Sequence, residues 1–312
     1  MTAWHPWQPV PPLPRPIPAA VLSELLDGGQ AFRWHRIPEG FEGVWSRHHV
    51  RVRPAPAALG ALEFSAPAWA DPAATAAALQ TYLAGPPADP DALPWRSDPH
   101  LAACLAAFPG LSILRQPFGE TLLGFVCSAT KQIVQIKQML ALLAARHGQP
   151  LHPPGAYPAT DPALCHSDSV IRISHRLPTW PELAAVSVEQ LRACALGFRA
   201  RHVAGIAARL AAEPGWLETT EQAPYAEAKA RLLTLPGVGE KVADCVLLFG
   251  AGRLEAFPVD TWILKAMTRR YGLDGWTPAQ AAHFGRIHFG PQAGLAQQVL
   301  FAHERATARA VR

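Results

Sequence analysis

Residues 232–262 read LLTLPGVGEKVADCVLLFGAGRLEAFPVDTW, and Leu235-Pro236-Gly237-Val238-Gly239 at their centre restricts the fold more than any other stretch. Apolar residues flank it at helical spacing, Leu232 and Leu233 before, then Val242, Ala243, Val246, Leu247 and Phe249. Pro236 cannot extend the first helix, and the two glycines open backbone angles that other residues avoid. Two helices must therefore meet at a tight hairpin, with the free N–H groups around the start of the second helix pointing outward. Such donors at the positive end of a helix suit a phosphate oxygen, and here the backbone of Gly237, Val238, Gly239 and Val242 is expected to supply them. A hairpin of this kind grips nucleic-acid backbone. Lys241, in the first turn of the second helix, and Asp260, in Pro258-Val259-Asp260 nineteen residues later, add reactive groups to it.

The segment LPGVGEKVADC followed by PVD resembles the helix–hairpin–helix DNA glycosylases with a Gly/Pro-rich loop and a distal aspartate (HhH-GPD), and within them the 8-oxoguanine DNA glycosylase branch. The resemblance implies that Lys241 is the nucleophile and Asp260 the essential carboxylate. Each residue type suits that chemistry. An amine attacking the sugar C1′ displaces the damaged base and leaves an iminium, which permits β-elimination of the 3′ phosphate. An amine attacks only when neutral, a state favoured by a helix N-terminus, partial burial and neighbouring cations. A carboxylate stabilises the positive charge that develops at C1′. On its own, a lysine here would be a solvated surface charge, and Asp260 would be the N-cap of a helix over 261–271. The capping and catalytic roles of Asp260 are compatible.

Bulk properties agree without deciding the function. The 312 residues can hold two or three compact units, and 28 Lys plus Arg against 24 Asp plus Glu give a net charge of +4, mildly basic. No apolar run reaches membrane-spanning length, and the proline-rich N-terminus is too polar for a signal peptide, so a cytoplasmic protein acting on the nucleoid is expected. The five cysteines, Cys104, Cys127, Cys165, Cys194 and Cys245, are odd in number and far apart, and read as reduced thiols. None follows Cys245, so the four-cysteine iron–sulfur cluster of endonuclease-type relatives is not expected; neither metal nor organic cofactor is.

An α+β fold is expected: an N-terminal antiparallel β-sheet domain over 1–109, and over 110–312 a helical HhH-GPD core of two subdomains. Strands are read at Val21–Leu26, Ala31–Arg36, Gly43–Trp45, His49–Arg53 and Ala61–Phe64, with a turn at Pro38-Glu39-Gly40 and a helix over Pro72–Leu83. Pro54–Ala58 and Pro86–Pro94 read as loops. Beyond Leu101 the pattern is helical, with an Ile133 to Ala144 stripe closed by Gly148, and helices over Pro181–Ala195, Arg199–Ala212 and Tyr225–Leu233. His152–Asp161 and Leu177–Pro181 read as connectors.

The resemblance to the oxoguanine branch extends beyond the hairpin. Gly28-Gly29-Gln30-Ala31-Phe32-Arg33-Trp34 is similar to its N-terminal signature, which implies that the Gly29 carbonyl accepts a hydrogen bond from the damaged base. Oxidation turns N7 of guanine from acceptor to donor, so one fixed acceptor separates the two bases; an unmatched buried polar group costs about 1–3 kcal/mol. The segment from Phe289 to Phe301 resembles the branch's last helix, implying that Gln297 binds the Watson–Crick edge and Phe301 stacks on one face of the flipped base, with Cys245 on the other. Ala195-Leu196-Gly197-Phe198-Arg199-Ala200-Arg201 corresponds to the segment that fills the gap left by extrusion, with Phe198 as wedge and Arg199 facing the widowed base. Taken singly, these would be a strand turn, a solvated glutamine, a core phenylalanine, a buried thiol and an ordinary helix start.

Departures fall on recognition of the opposite base. After Cys127-Ser128 this chain has Ala129-Thr130-Lys131-Gln132 in place of the eukaryotic asparagine run, Gln135 in place of a second cytosine-reading arginine, and Trp262 where a phosphate-binding histidine often stands. Lys131 is the replacement expected to reach DNA. The expected partner is duplex DNA bearing an oxidised purine, bound by a monomer. One alternative is a monofunctional alkylpurine glycosylase of the same superfamily, against which Lys241 argues. The other is a non-enzymatic clamp, in which Asp260 and the Gln297/Phe301 pair would share no purpose.

Overall fold

A computed structural model describes residues 4–152 and 174–310, with the side chains of 309 and 310 excepted. The N-terminal part is a five-stranded antiparallel sheet of order β1-β5-β4-β3-β2. Its strands are β1 (Gln8–Pro9), β2 (Trp34–Ile37), β3 (Gly40–Trp45), β4 (His48–Pro54) and β5 (Leu62–Ser65). Helices α1 (Ala19–Asp27), α2 (Pro72–Ala84) and α3 (Pro99–Ala107) accompany it. Gly43 faces Trp34 in the register, and a Cβ there would lie 2.3 Å from the indole, so only glycine lets this large ring lie flat on the sheet. Trp34 stacks on Trp45 with centroids 5.7 Å apart, and its Nε1 donates to the Tyr82 hydroxyl at 3.1 Å.

The remaining helices are α4 (Phe118–Ser128), α5 (Ile133–His147), α6 (Trp180–Ala184), α7 (Val188–Leu191), α8 (Arg199–Ala212), α9 (Trp216–Gln222) and α10 (Tyr225–Leu233). After them come α11 (Glu240–Phe249), α12 (Thr261–Tyr271), α13 (Pro278–Phe289) and α14 (Ala293–Ala310). Their buried apolar side chains form one core spanning α4 to α11. A second core joins the sheet and α1 to α3 with Phe257 and helices α12 to α14, so packing does not divide at residue 109. The segment between the hairpin helix and α12 passes from one core to the other, and Asp260 stands at that passage.

Several expectations are corrected. Val21–Leu26 lies in helix α1, not a strand: Val21, Leu22, Leu25 and Leu26 are all buried, a three- to four-residue stripe on one helical face. The helix expected over 181–195 is broken in two. Thr179 caps α6 with Glu182, Ser187 caps α7 with Gln190, and Arg192–Leu196 closes as a π-turn. Strand β1, helix α9 and the 3₁₀ turns at Pro90–Ala92 and Gly290–Gln292 were not anticipated. The connector at 152–161 lies, beyond His152, outside the described residues, as does Cys165. The other four cysteines are buried and free. Among the described residues no helix is long and apolar enough to cross a membrane.

Candidate active site

The hairpin between α10 and α11 is shaped by its glycines and by one buried ion pair. Gly237 has φ +77°, and a Cβ there would stand 2.2 Å from Nδ1 of His202 on α8, so the position excludes any side chain twice over. Val238 turns its side chain into the core, and its N–H donates to the Leu235 carbonyl at 3.2 Å. A phosphate would have to share that N–H, whereas the amides of Gly237, Gly239 and Val242 have no acceptor among the described residues. Nothing lies within 4 Å of where a Cβ on Gly239 would project, which leaves the helix start open. Behind the hairpin, Lys229 of α10 reaches Asp244 of α11 with Nζ 3.0 and 3.1 Å from the two carboxylate oxygens. Glu240 lies 2.7 Å from the same ammonium, and Tyr225 donates to Asp244 at 2.7 Å. Burial works against the Lys229 charge, but Asp244, Glu240 and Tyr225 outweigh it and hold its pKa above the usual lysine range.

Lys241 and Cys245, one turn apart on α11, face the end of α4. The Lys241 ammonium sits 3.4 Å from the Ser128 hydroxyl and 5.1 Å from the Phe125 ring centroid. Ser128 is fixed in turn, donating to the Phe125 carbonyl at 2.7 Å. Burial pushes the Cys245 thiol up to about 12 even beside Lys241, so it presents a neutral, apolar surface. Asp260 is close enough for its charge to act on the same thiol. It caps α12, and one carboxylate oxygen, Oδ1, takes both amides, Trp262 at 3.0 Å and Ile263 at 2.9 Å. The other oxygen has no donor, and no ion pair joins Asp260 to Lys241 among the described residues. The fold thus brings an amine, a thiol and a half-engaged carboxylate to one place.

A second group assembles from the N-terminal loop and α14. Gly29 has φ +113°, and a Cβ there would meet Ile133 at 3.3 Å and Phe301 at 3.8 Å, so its backbone lies directly against the Phe301 ring. Gln297, one turn before Phe301, is buried; its Nε2 donates to the Pro258 carbonyl at 3.0 Å, and its Oε1 accepts from Gln298 at 2.6 Å. The bond to Pro258 ties this group to the Asp260 segment, two residues on.

The expected gap-filling residues occupy a sharp corner. Ala195 (φ +62°) and Gly197 (φ +58°) both take left-handed angles just before α8, a strained turn that leaves Phe198 56 % exposed. Arg199 is only 2 % exposed. Its guanidinium donates to the Ala129 carbonyl, to Thr130 Oγ1 at 3.0 Å and to the Leu196 carbonyl at 3.3 Å, and lies 4.3 Å from the Phe198 ring. Here it ties two loops together and does not stand free to meet a base. Lys131 is exposed on the facing loop, while Gln135 is used locally, its Oε1 accepting from the Gln132 amide at 3.2 Å to close the start of α5. Sequence reasoning missed Ser128 and the Lys229–Asp244 pair; the one signal for the pair was a carboxylate inside the otherwise apolar run from Val242 to Phe249.

No family model matches the chain. It is 30% identical over 218 residues to a probable N-glycosylase/DNA lyase of Methanothermobacter thermautotrophicus, covering 67% of this chain and 68% of that protein. To N-glycosylase/DNA lyase OGG1 of Arabidopsis thaliana it is 29% identical over 293 residues, 88% of this chain and 75% of the relative. The Clostridium acetobutylicum 8-oxoguanine glycosylase/lyase, solved in complex with double-stranded DNA containing cytosine opposite 8-oxoguanine, superposes with a TM-score of 0.76 at 27% identity, over 92% of each chain. With two thirds of a relative covered at this identity, and the hairpin, Lys241 and Asp260 in one site, the chain belongs to the N-glycosylase/DNA lyase family.

Proposed function

We propose that this protein excises 8-oxoguanine from duplex DNA and then cleaves the strand at the resulting site, using Lys241 as nucleophile. The observation that carries the reading is the meeting of Lys241, Cys245 and Asp260 beneath a hairpin in which the amides of Gly237, Gly239 and Val242 have no acceptor among the described residues. The Lys241 amine bonds to C1′ as the glycosidic bond breaks, and the base leaves with the bonding electron pair and takes up a proton. Loss of a proton from nitrogen and opening of the sugar ring give the iminium, and removal of a C2′ proton then expels the 3′ phosphate. Asp260, its Oδ1 locked by two amides, offers its free oxygen to the positive charge developing at C1′.

Phe301 and the apolar Cys245 thiol sandwich the flipped base, Gln297 reads its Watson–Crick edge, and the Gly29 carbonyl accepts from N7–H. Phe198 fills the vacated stack. The amides of Gly237, Gly239 and Val242, with Val238 where its turn bond can be shared, hold a phosphate, and Lys131 approaches the opposite strand. The protein acts as a monomer with no added cofactor, and the relatives, among them an enzyme crystallised on 8-oxoguanine duplex, support the substrate class. The test is incubation with a duplex carrying a single 8-oxoguanine, with strand breakage read against an undamaged control. Free base and a cleaved strand are expected; cleavage of neither, with intact binding, would leave only a DNA clamp.

A further inference from the structure

The loop that carries Gly29 is tethered on both sides of it. The Gly28 carbonyl accepts from Nη1 of Arg305, and the Gln30 carbonyl accepts from Gln116 at 2.7 Å. Gln30 is itself fixed, taking the Leu114 amide at 2.9 Å and donating to the Ser112 carbonyl at 3.0 Å. On the other flank, Lys137 bonds Asp27 and the Trp34 carbonyl, each at 2.6 Å. Between the tethered Gly28 and Gln30 carbonyls, that of Gly29 has no donor among the described residues. Arg305 stands one turn after Phe301 on α14, with its guanidinium 5.4 Å from the Phe301 ring centroid. It is 8 % exposed and is held by Glu24 of α1 at 2.8 Å. One buried cation therefore touches both the loop that presents the acceptor and the ring that stacks on the base.

We propose that Arg305 is a positioning residue for lesion specificity: by occupying the Gly28 carbonyl and backing Phe301, it aims the unpaired Gly29 carbonyl across that ring at the base. The inference rests on the reading of Gly29 as the acceptor for N7–H. Tethering matters because an acceptor separates oxidised from normal guanine only if the peptide cannot rotate to follow the base. A free loop would turn its N–H toward an N7 acceptor as readily as its carbonyl toward an N7 donor. Arg305 removes that freedom at the preceding peptide.

Binding is measured in a Lys241→Gln background, so that no base is released, on two duplexes. One carries 8-oxoguanine and the other 7-deaza-8-oxoguanine, in which C–H replaces the N7 donor. The background protein should prefer the first by about tenfold or more, equivalent to about 1.4 kcal/mol. Adding Arg305→Met should bring the ratio close to one, and Arg305→Lys should recover part of it. With Lys241 intact, Arg305→Met should still cleave a preformed abasic site at nearly the parent rate, a readout that a purely structural role would not spare. No preference in the background protein would sink the Gly29 reading itself. A preference there that survives undiminished in Arg305→Met would overturn the role of Arg305. If Arg305→Met fails to fold, the near-isosteric Glu24→Gln decides the question on the same ratio: a narrowed ratio supports the tether and an unchanged one overturns it.

Discussion

Asp260 combines a cap and a charge in one side chain, and its two oxygens allow them to be separated. Oδ1 accepts both amides at the start of α12, and Oδ2 accepts none among the described residues. In Asp260→Asn the carbonyl oxygen can keep both bonds, and asparagine is as good an N-cap as aspartate. What disappears is the negative charge. Its loss at a helix N-terminus costs about 0.3–1 kcal/mol of stability. Its loss beside a developing positive charge about 4 Å away, at an effective dielectric constant of about 20, forfeits up to about 4 kcal/mol of transition-state stabilisation, a factor on the order of 10³ in rate. Asp260→Ala loses the charge and the cap together, which adds about 1 kcal/mol of destabilisation. Single-turnover base release and urea unfolding of the three proteins give the two quantities independently. Asparagine should be nearly as stable as the parent yet slower by two to three powers of ten; alanine should be comparably slow and clearly less stable. An Asp260→Asn protein excising within about tenfold of the parent would show that the carboxylate is only a cap, and equal stability of Asn and Ala would refute the cap.

Phe301→Ala should reduce excision of 8-oxoguanine far more than cleavage of a preformed abasic site, since the latter has no base to stack; equal losses would place Phe301 in the core alone. Because Gln135 is used to close α5 and Arg199 is tied to Ala129 and Thr130, discrimination worth roughly 1–3 kcal/mol per bidentate base contact is reduced. Single-turnover rates opposite C, T and G should then agree within about tenfold, and a strict preference for cytosine would show that Arg199 is released on binding and suffices. Lys229→Met leaves the 1 % exposed Asp244 carboxylate without its cation and should destabilise by about 3–5 kcal/mol near pH 8. Burial already pushes the Asp244 carboxyl up, and without Lys229 it rises further. The folded variant then binds a proton that the unfolded chain lacks, so its deficit should shrink as pH falls, by at most about 1.4 kcal/mol per pH unit. Urea midpoints at pH 5 and 8 check this, and a pH-independent deficit would mean that the pair is not ionic.

What could be read directly from the sequence was local. The LPGVG hairpin, Lys241 and the capping Asp260 lie within 30 residues of chain, and each is set by backbone angles, helix starts and spacing. Val21–Leu26 is ambiguous because a short apolar run fits a strand or a helix equally well, and only packing against the sheet decides. The break inside 181–195 is written in Ser187 and Gln190, a second capping box, but the apolar period runs through it. The tether of Arg305 to Gly28 spans 277 residues, and nothing in either neighbourhood announces it. The same holds for Arg199, which looks like an exposed helix-start arginine until Ala129 and Thr130 are brought against it.

Covalent trapping tests the central claim, that Lys241 is the nucleophile, most directly. Protein, 8-oxoguanine duplex and borohydride are combined, and the adduct is digested for peptide mass analysis. The iminium requires that reduction leave DNA attached through the Lys241 side chain, and that Lys241→Gln bind the lesion but give no adduct. A parent adduct mapped to another residue, or undiminished trapping by Lys241→Gln, would contradict it.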